Sequence, residues 1–380
     1  MLKGIDNIYN YSKLLIGKRI GLITSISGVD NQLNSTIEIL DRNYNLQALF
    51  APEHGVRGDK DAGQMVEDYI DEATGVPVYS LYRKDSKRLT KEMLDKVDVV
   101  VYDIQDLGVR YYTFISTLIY AMEDCAKEGK QFIVLDRPDP LGGTIVEGNV
   151  LEPAYQSFVG AYPIATRYGL TAGELALMVN EEENIGCHLE VIPCSGWKRS
   201  EMFHRTGQIW VMPSLGIPRF DTALLYPGTC LAEGTNLSEG RGTSCPFEIL
   251  GAPYIKAQKL VSKLRTKKLV GVDFTPAYFK PTSSKFNGIF CNGVHLHITD
   301  YDTFQSYKTG LTVIETIRDM YPKDFEFLKP IKENSKPFIS LLSGNNAFET
   351  AEWSCNQILE KNENELEEFK RKKQKYHIYE

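Results

Sequence analysis

Short apolar runs alternate with amphipathic stretches through the first half of the chain. Residues 19–24, 46–50, 76–79, 97–102 and 131–135 have the length and β-branched character of buried strands. Between them, 32–40 places Leu33, Ile37 and Leu40 on one helical face, a short helix begins at 90–94, and 111–128 reads as a long helix rich in Leu, Ile, Met and Ala. Thr171 and Glu174 form a Thr-x-x-Glu capping box ahead of a helix over 175–182, and a strand at 189–193 closes that unit. Continuous apolar strands alternating with helices predict a mostly parallel, Rossmann-like sheet. Pro77 marks its strand as an edge or a strand start.

From Pro213 the pattern changes. Gly and Pro become frequent, and polar loops run through 227–251. A second domain is expected from here, giving boundaries of 1–215 and 216–380. It holds helices over 254–264 and 309–320, a strand over 293–299 and a charged C-terminal helix over 347–373. The density of both charges in 360–375 predicts a solvated helix face.

A chain of 380 residues, 42% hydrophobic and 24% charged, is an ordinary globular protein able to bury a core without disulfides or metals. Its net charge of −7 argues against nucleic acid as a partner, which would need a basic stripe. It leaves room for a small anion held by a few arginines. No uncharged apolar stretch is long enough to insert in a membrane. The first residues lack the apolar core of a signal peptide, so the expected location is cytoplasmic, or extracellular if a leader is missing from the sequence. The seven cysteines are scattered, odd in number and never in C-x-x-C spacing, which predicts reduced thiols.

Four loops carry the candidate chemistry, and three of them follow predicted strands. They are Glu53-His54-x-x-Arg57, Asp103 through Asp106 to Arg110-Tyr111-Tyr112, Asp136-Arg137-Pro138-Asp139, and Glu233-Gly234-Thr235-Asn236-x-Ser238-Glu239-Gly240-Arg241. Loops at the carboxyl ends of parallel strands open on one edge and are expected to meet there. Carboxylates, arginines and tyrosines without an obvious nucleophilic Ser or Cys suit glycoside hydrolysis, which uses one carboxylic acid to protonate the leaving oxygen and usually a second carboxylate. The arginines suit a sugar bearing a carboxylate. Residues 24–28, Thr-Ser-Ile-Ser-Gly, are not a dinucleotide fingerprint, and no phosphate loop is present, so no cofactor is expected. His295 and His297 share a strand face without a ligand-spaced carboxylate partner, and no metal is expected there.

These loops, with Asp103–Thr113 and the stretch from Glu233 to Thr243, resemble the NamZ (YbbC-type) exo-β-N-acetylmuramidases, and the resemblance runs from about Gly4 to Tyr379. It implies an α/β fold: a Rossmann-like N-terminal domain with a mostly parallel sheet, a smaller α/β C-terminal domain, and an active-site cleft between them. It also implies removal of terminal N-acetylmuramic acid from the non-reducing end of peptidoglycan fragments. The substrate is then a muropeptide or a MurNAc-GlcNAc oligosaccharide, and alternating glycan chains suggest a companion N-acetylglucosaminidase. The family's proposed catalytic glutamate matches Glu53, with His54 to orient it. Asp103, Glu147 and Glu239 contend with the sugar's own acetamido group for the second catalytic place. Arg57, Arg110, Arg137 and Arg241 are candidates for the lactyl carboxylate, and Tyr112, Asp136, Asp139, Glu233, Asn236 and Glu239 for gripping the sugar. The rival expectation is a protein that binds or senses muropeptides without cleaving them.

Overall fold

The computed structural model describes residues 1–58, 63–65, 67–330, 335–348 and 353–380. In chain order the regular elements are β1 (Arg19–Thr24), α1 (Thr36–Asn43), β2 (Asn45–Ala51), β3 (Tyr69–Ile70), β4 (Pro77–Ser80), α2 (Lys91–Leu94), β5 (Val99–Asp103), α3 (Phe114–Lys127), β6 (Gln131–Leu135), β7 (Glu147–Val150), β8 (Ala165–Arg167), α4 (Ala172–Glu182) and β9 (His188–Ile192). There follow α5 (Phe220–Thr229), β10 (Ile249–Ala252), α6 (Ala257–Arg265), β11 (Val272–Phe279), β12 (Cys291–Ile298), α7 (Ser306–Met320), α8 (Phe338–Ser343) and α9 (Cys355–Lys373).

The chain forms two compact units: Met1–Ile145 with Tyr168–Pro218 and Arg371–Glu380, and Val146–Arg167 with Arg219–Lys370. It therefore changes unit four times, and a single boundary at 215 describes only one of those changes. The segment carrying β7 and β8 leaves the first unit and returns without any shift in composition to announce it.

The first unit is built on a seven-stranded sheet of order β3-β4-β2-β1-β5-β6-β9. All pairings are parallel except β3 with β4 at one edge. Pro77 begins β4, where its missing N–H costs nothing in the ladder. β5 and β6 are buried at every position, as expected of strands covered on both faces. Because β2 and β4 lie on one side of β1 and β5 and β6 on the other, the strand order reverses between β1 and β5. The crevice outside those two strand ends is the usual ligand position in such sheets.

The second unit holds the antiparallel sheet β10-β12-β11 and the pair β7-β8. Helices α5 and α7 cross where Gly228 meets Gly310; a Cβ on Gly310 would lie 2.2 Å from the Gly228 carbonyl. Among the described residues no helix is long and apolar enough to cross a membrane.

Several elements differ from the expected ones for local reasons. Ser35 caps α1, so residues 32–34 form a turn in which Leu33 is exposed at φ 66°. α3 starts at Phe114 because Tyr111–Thr113 form its entry turn. The capping box at Thr171 is present, and α4 begins directly after it. The 227–251 stretch is not all loop: α5 runs through Pro227 into it, and β10 closes it. β11, with exposed positions alternating along it and Pro276 at its middle, shows no continuous apolar run to reveal it. Residues 349–352 of the expected C-terminal helix lie outside the described residues; the observed α9 starts at Cys355.

Candidate active site

Strand β2 ends at Ala51, and Pro52 turns the chain so that Glu53 and His54 follow at once. Gly55 N donates to Pro52 O, and His54, Gly55 and Gly58 all adopt positive φ. For His54, at φ 73°, that conformation costs about 1–2 kcal/mol. Backbone strain of this kind collects at functional sites. The His54 ring packs edge-on to Phe114, centroids 6.2 Å apart.

The Glu53 side chain is buried and receives donors from three directions. Gly63 N donates to Oε1 at 2.9 Å, and Thr113 Oγ1 donates to Oε2 at 2.7 Å. The third is the Tyr82 hydroxyl, whose ionisation is pushed up by burial and by the Glu53 charge, so it stays a donor. Each comes from a different strand end. Thr113 stands just before α3, in the connection from β5. Tyr82 follows β4, whose exit is drawn over β2 by Leu81 N donating to Ala51 O at 2.7 Å. Lys87 completes the cluster: its Nζ lies 3.1 Å from the Tyr82 ring centroid and donates to Arg83 O.

The Asp103 and Asp136 loops do not open to a ligand in this way. Asp103 is fully buried, accepting from Arg137 Nε at 2.6 Å and Arg137 Nη2 at 2.9 Å and from the Thr36 hydroxyl. Arg137 also donates to Val29 O. This pair fills the crevice where the strand order reverses. What remains is a cavity of about 20 Å³ lined by Lys3, Ser27, Gln105, Arg137 and Trp210, room for about one water. Asp103 and Arg137, expected in catalysis and in substrate binding, are joined to each other in an internal ion pair. Asp136 accepts from the N–H groups of Arg137 and Gly173 and the hydroxyls of Thr171 and Tyr379, which ties α4 and the chain end to β6. The Asp139 carboxylate lies against Gly108 and accepts from Leu141 N. Arg57 is bidentate on Asp71, Arg110 is enclosed, and Tyr112 packs edge-on to Phe114.

Asp106, in the loop after β5, accepts from Gly108 N and the Tyr168 hydroxyl. Burial outweighs these bonds and raises Asp106 to about 6, and likewise Asp136 to about 6. Folding therefore takes up protons between about 3.8 and 6. The stabilisation is complete below about 3.8 and lost as pH rises through about 6, on the order of 3 kcal/mol for each group. Urea unfolding at a series of pH values from 4 to 7, up to about neutral, should show a flatter decline for Asp106→Asn than for the wild type. Parallel profiles would remove Asp106 from this role.

In the second unit Glu147 pairs with the buried Arg167 at 2.6 Å and accepts from Tyr307 N. Arg241 bonds Glu233 at 2.8 Å and lies 3.7 Å from Glu239, which also pairs with Lys285 at 2.9 Å. Asn236 ties its loop to a neighbouring turn, donating to Asp324 O and accepting from Glu326 N and the Tyr254 hydroxyl. Cys245, Glu248 and His295 bring ligand atoms within 4.8 Å of one another. A cation already stands there: Arg219 bonds both oxygens of Glu248, and burial of that carboxyl is overcome by His295, Arg219 and Thr222, which hold it at about 2. His297 instead shares a hydrogen bond with Thr275 Oγ1. All seven cysteines are free thiols.

A parallel sheet with a buried glutamate clamped by hydroxyl and amide donors at a strand end, in a chain of two units, defines an α/β protein with a site suited to carboxyl-based glycoside chemistry. Models of the exo-β-N-acetylmuramidase NamZ match the chain over residues 20–221, as its N-terminal domain, and over 224–379, as its C-terminal domain. The chain belongs to this NamZ family. It is 49% identical, over 99% of its own length and 91% of the relative's, to the peptidoglycan β-N-acetylmuramidase NamZ of Bacillus subtilis (strain 168). Two crystal structures of DUF1343 family proteins from Bacteroides fragilis NCTC 9343 share the fold: one at TM-score 0.88 and 39% identity, the other at 0.78 and 29%, each covering 100% of this chain and 99% of the other.

Sequence reasoning singled out Glu53 but not Tyr82, Lys87 or Thr113, which the structure places around it. Tyr82 and Lys87 follow a strand that had been identified, and a basic, aromatic loop at a fourth parallel strand end was the signal available.

Proposed function

We propose that this protein is an exo-β-N-acetylmuramidase that releases N-acetylmuramic acid from the non-reducing end of peptidoglycan fragments, with Glu53 as the carboxyl that protonates the leaving oxygen. The observation that carries the assignment of Glu53 is the convergence of Thr113, Tyr82 and Gly63 N on one buried carboxyl at the end of β2. Fixed donors hold it in one geometry, as proton transfer to a defined oxygen requires. Membership of the family supports the reaction and the substrate class.

Asp103, Glu147 and Glu239 are each engaged by a cationic partner. This favours the sugar's own 2-acetamido group as the second participant, a recognised departure from the two-carboxylate scheme. The product would then keep its anomeric configuration. Since glycan chains alternate two sugars, a companion N-acetylglucosaminidase would consume the shortened end. Hydrolysis of p-nitrophenyl β-N-acetylmuramide beside the matching glucosaminide tests this reading. Release from the muramide with retention is expected. Release from neither sugar by folded protein overturns the assignment, and an inverted first product overturns acetamido participation alone.

A further inference from the structure

A carboxyl that gives up a proton in each cycle needs one oxygen that carries it and one that does not. At Glu53 the two oxygens meet donors of different kinds. Oε1 accepts from the Gly63 backbone N–H at 2.9 Å, and Oε2 accepts from the Thr113 hydroxyl at 2.7 Å. An amide N–H only donates, so the oxygen bound to it is best left as the carbonyl. A hydroxyl donates and accepts, so it can follow its partner through both protonation states. This asymmetry favours Oε2 as the oxygen that carries the proton.

The helix that Thr113 precedes shows what this contact displaces. α3 runs for 14 residues with Thr113 at its N-cap. A threonine there ordinarily turns its hydroxyl back to accept from an N–H of the first helical turn, which stabilises the helix. Ser35, Thr90 and Thr171 cap α1, α2 and α4 in this way. Thr113 makes no such bond. Its backbone is already helical, at φ −62° and ψ −10°, and its hydroxyl goes to Glu53.

We propose that Thr113 is the positioning residue of the Glu53 acid: its hydroxyl holds Oε2 as the proton-bearing oxygen and stabilises the carboxylate left when that proton has moved. This rests on the muramidase reading and adds the group that tunes its acid. In the step itself the O–H bond at Oε2 breaks and a new O–H bond forms on the glycosidic oxygen. That oxygen keeps the electron pair of its broken bond to C1, and the acetamido oxygen takes its place at C1. Water attacking C1 later returns a proton to Glu53. The Thr113 O–H stays intact throughout and donates to the carboxylate between the two transfers.

The other titratable groups around Glu53 are Tyr82, which also bonds it, Lys87, which feels its charge, and His54, the next residue, packed on Phe114. All three are the same in the wild type and in a Thr113 variant, so a difference between the two belongs to the hydroxyl. The test compares the full-length wild type with Thr113→Val, which keeps the β-branched shape without the hydroxyl, and Thr113→Ser, which keeps the hydroxyl. In Thr113→Val, kcat for the chromogenic muramide should fall about tenfold with KM within about twofold, and the alkaline limb of the pH profile should move up by about one unit, the scale of one hydrogen bond to a charged group. NMR titration of the Glu53 side-chain carboxyl carbon in glutamate-labelled protein, its signal identified by loss in Glu53→Gln, should show the same upward movement. Thr113→Ser should restore both. A lower melting temperature with limb and carbon titration unmoved makes Thr113 structural and overturns the proposal, as does a change in KM alone. Absence of turnover in the wild type would remove the enzymatic reading, while the carbon titration would still decide whether Thr113 governs the Glu53 proton.

Discussion

Glu53→Gln is expected to lower turnover of the muramide by at least about a hundredfold while the protein stays folded, the usual scale for losing a general acid. Glutamine has the volume of glutamate and keeps one carbonyl oxygen, so the Gly63 N–H retains an acceptor. Its amide nitrogen then faces a hydroxyl that donates in the wild type, either Thr113 or Tyr82. A hydroxyl can rotate to accept instead, which limits the structural cost to about 1 kcal/mol. The variant keeps the shape of the side chain and loses the capacity to deliver a proton to the leaving oxygen. Initial rates and a thermal melt on the same preparation separate the two effects. Turnover near the wild-type level would exclude Glu53 as the acid, and a collapse in melting temperature would make its three donors structural.

The sheet was legible because its strands are buried on both faces, and such strands appear in a sequence as unbroken apolar runs. Val99–Asp103 and Gln131–Leu135 are buried at every position. Glu53 stood out as a candidate because it directly follows such a run and is itself followed by Gly55 and Gly58, which let the chain turn. Partner choice was not legible. Asp103 and Arg137 are 34 residues apart, and nothing in either loop says that the guanidinium turns inward to the carboxylate. Glu53 and Thr113 are 60 residues apart and meet because β4, β2, β1 and β5 lie in that order, which the alternation of strands and helices does not specify. The excursion of Val146–Arg167 into the second unit was hidden for a similar reason, since β7 and β8 are too short to leave a periodic trace.

The inward turn of Arg137 separates a structural from a catalytic role for Asp103. Asp103 is fully buried at the end of β5, with its oxygens shared between Arg137 and the first residue of α1, Thr36. Arg137 adds a bond to Val29 O, so the pair joins the ends of β5 and β6 to the loop after β1. Asp103→Asn leaves the guanidinium buried without its counter-charge, which should destabilise the first unit by about 3–5 kcal/mol. The urea midpoint should fall accordingly, and the double substitution Asp103→Leu with Arg137→Met should recover part of the loss, because no buried charge is then left unpaired. Turnover per folded molecule should stay within about tenfold of the wild type, since the Asp103 carboxylate bonds Arg137 and Thr36 rather than Thr113, Tyr82 or Gly63 N, which surround Glu53. A catalytic carboxylate would behave in the opposite way, with an unchanged midpoint and turnover reduced at least about a hundredfold. That result would return Asp103 to the reaction and displace the acetamido group from the second catalytic place.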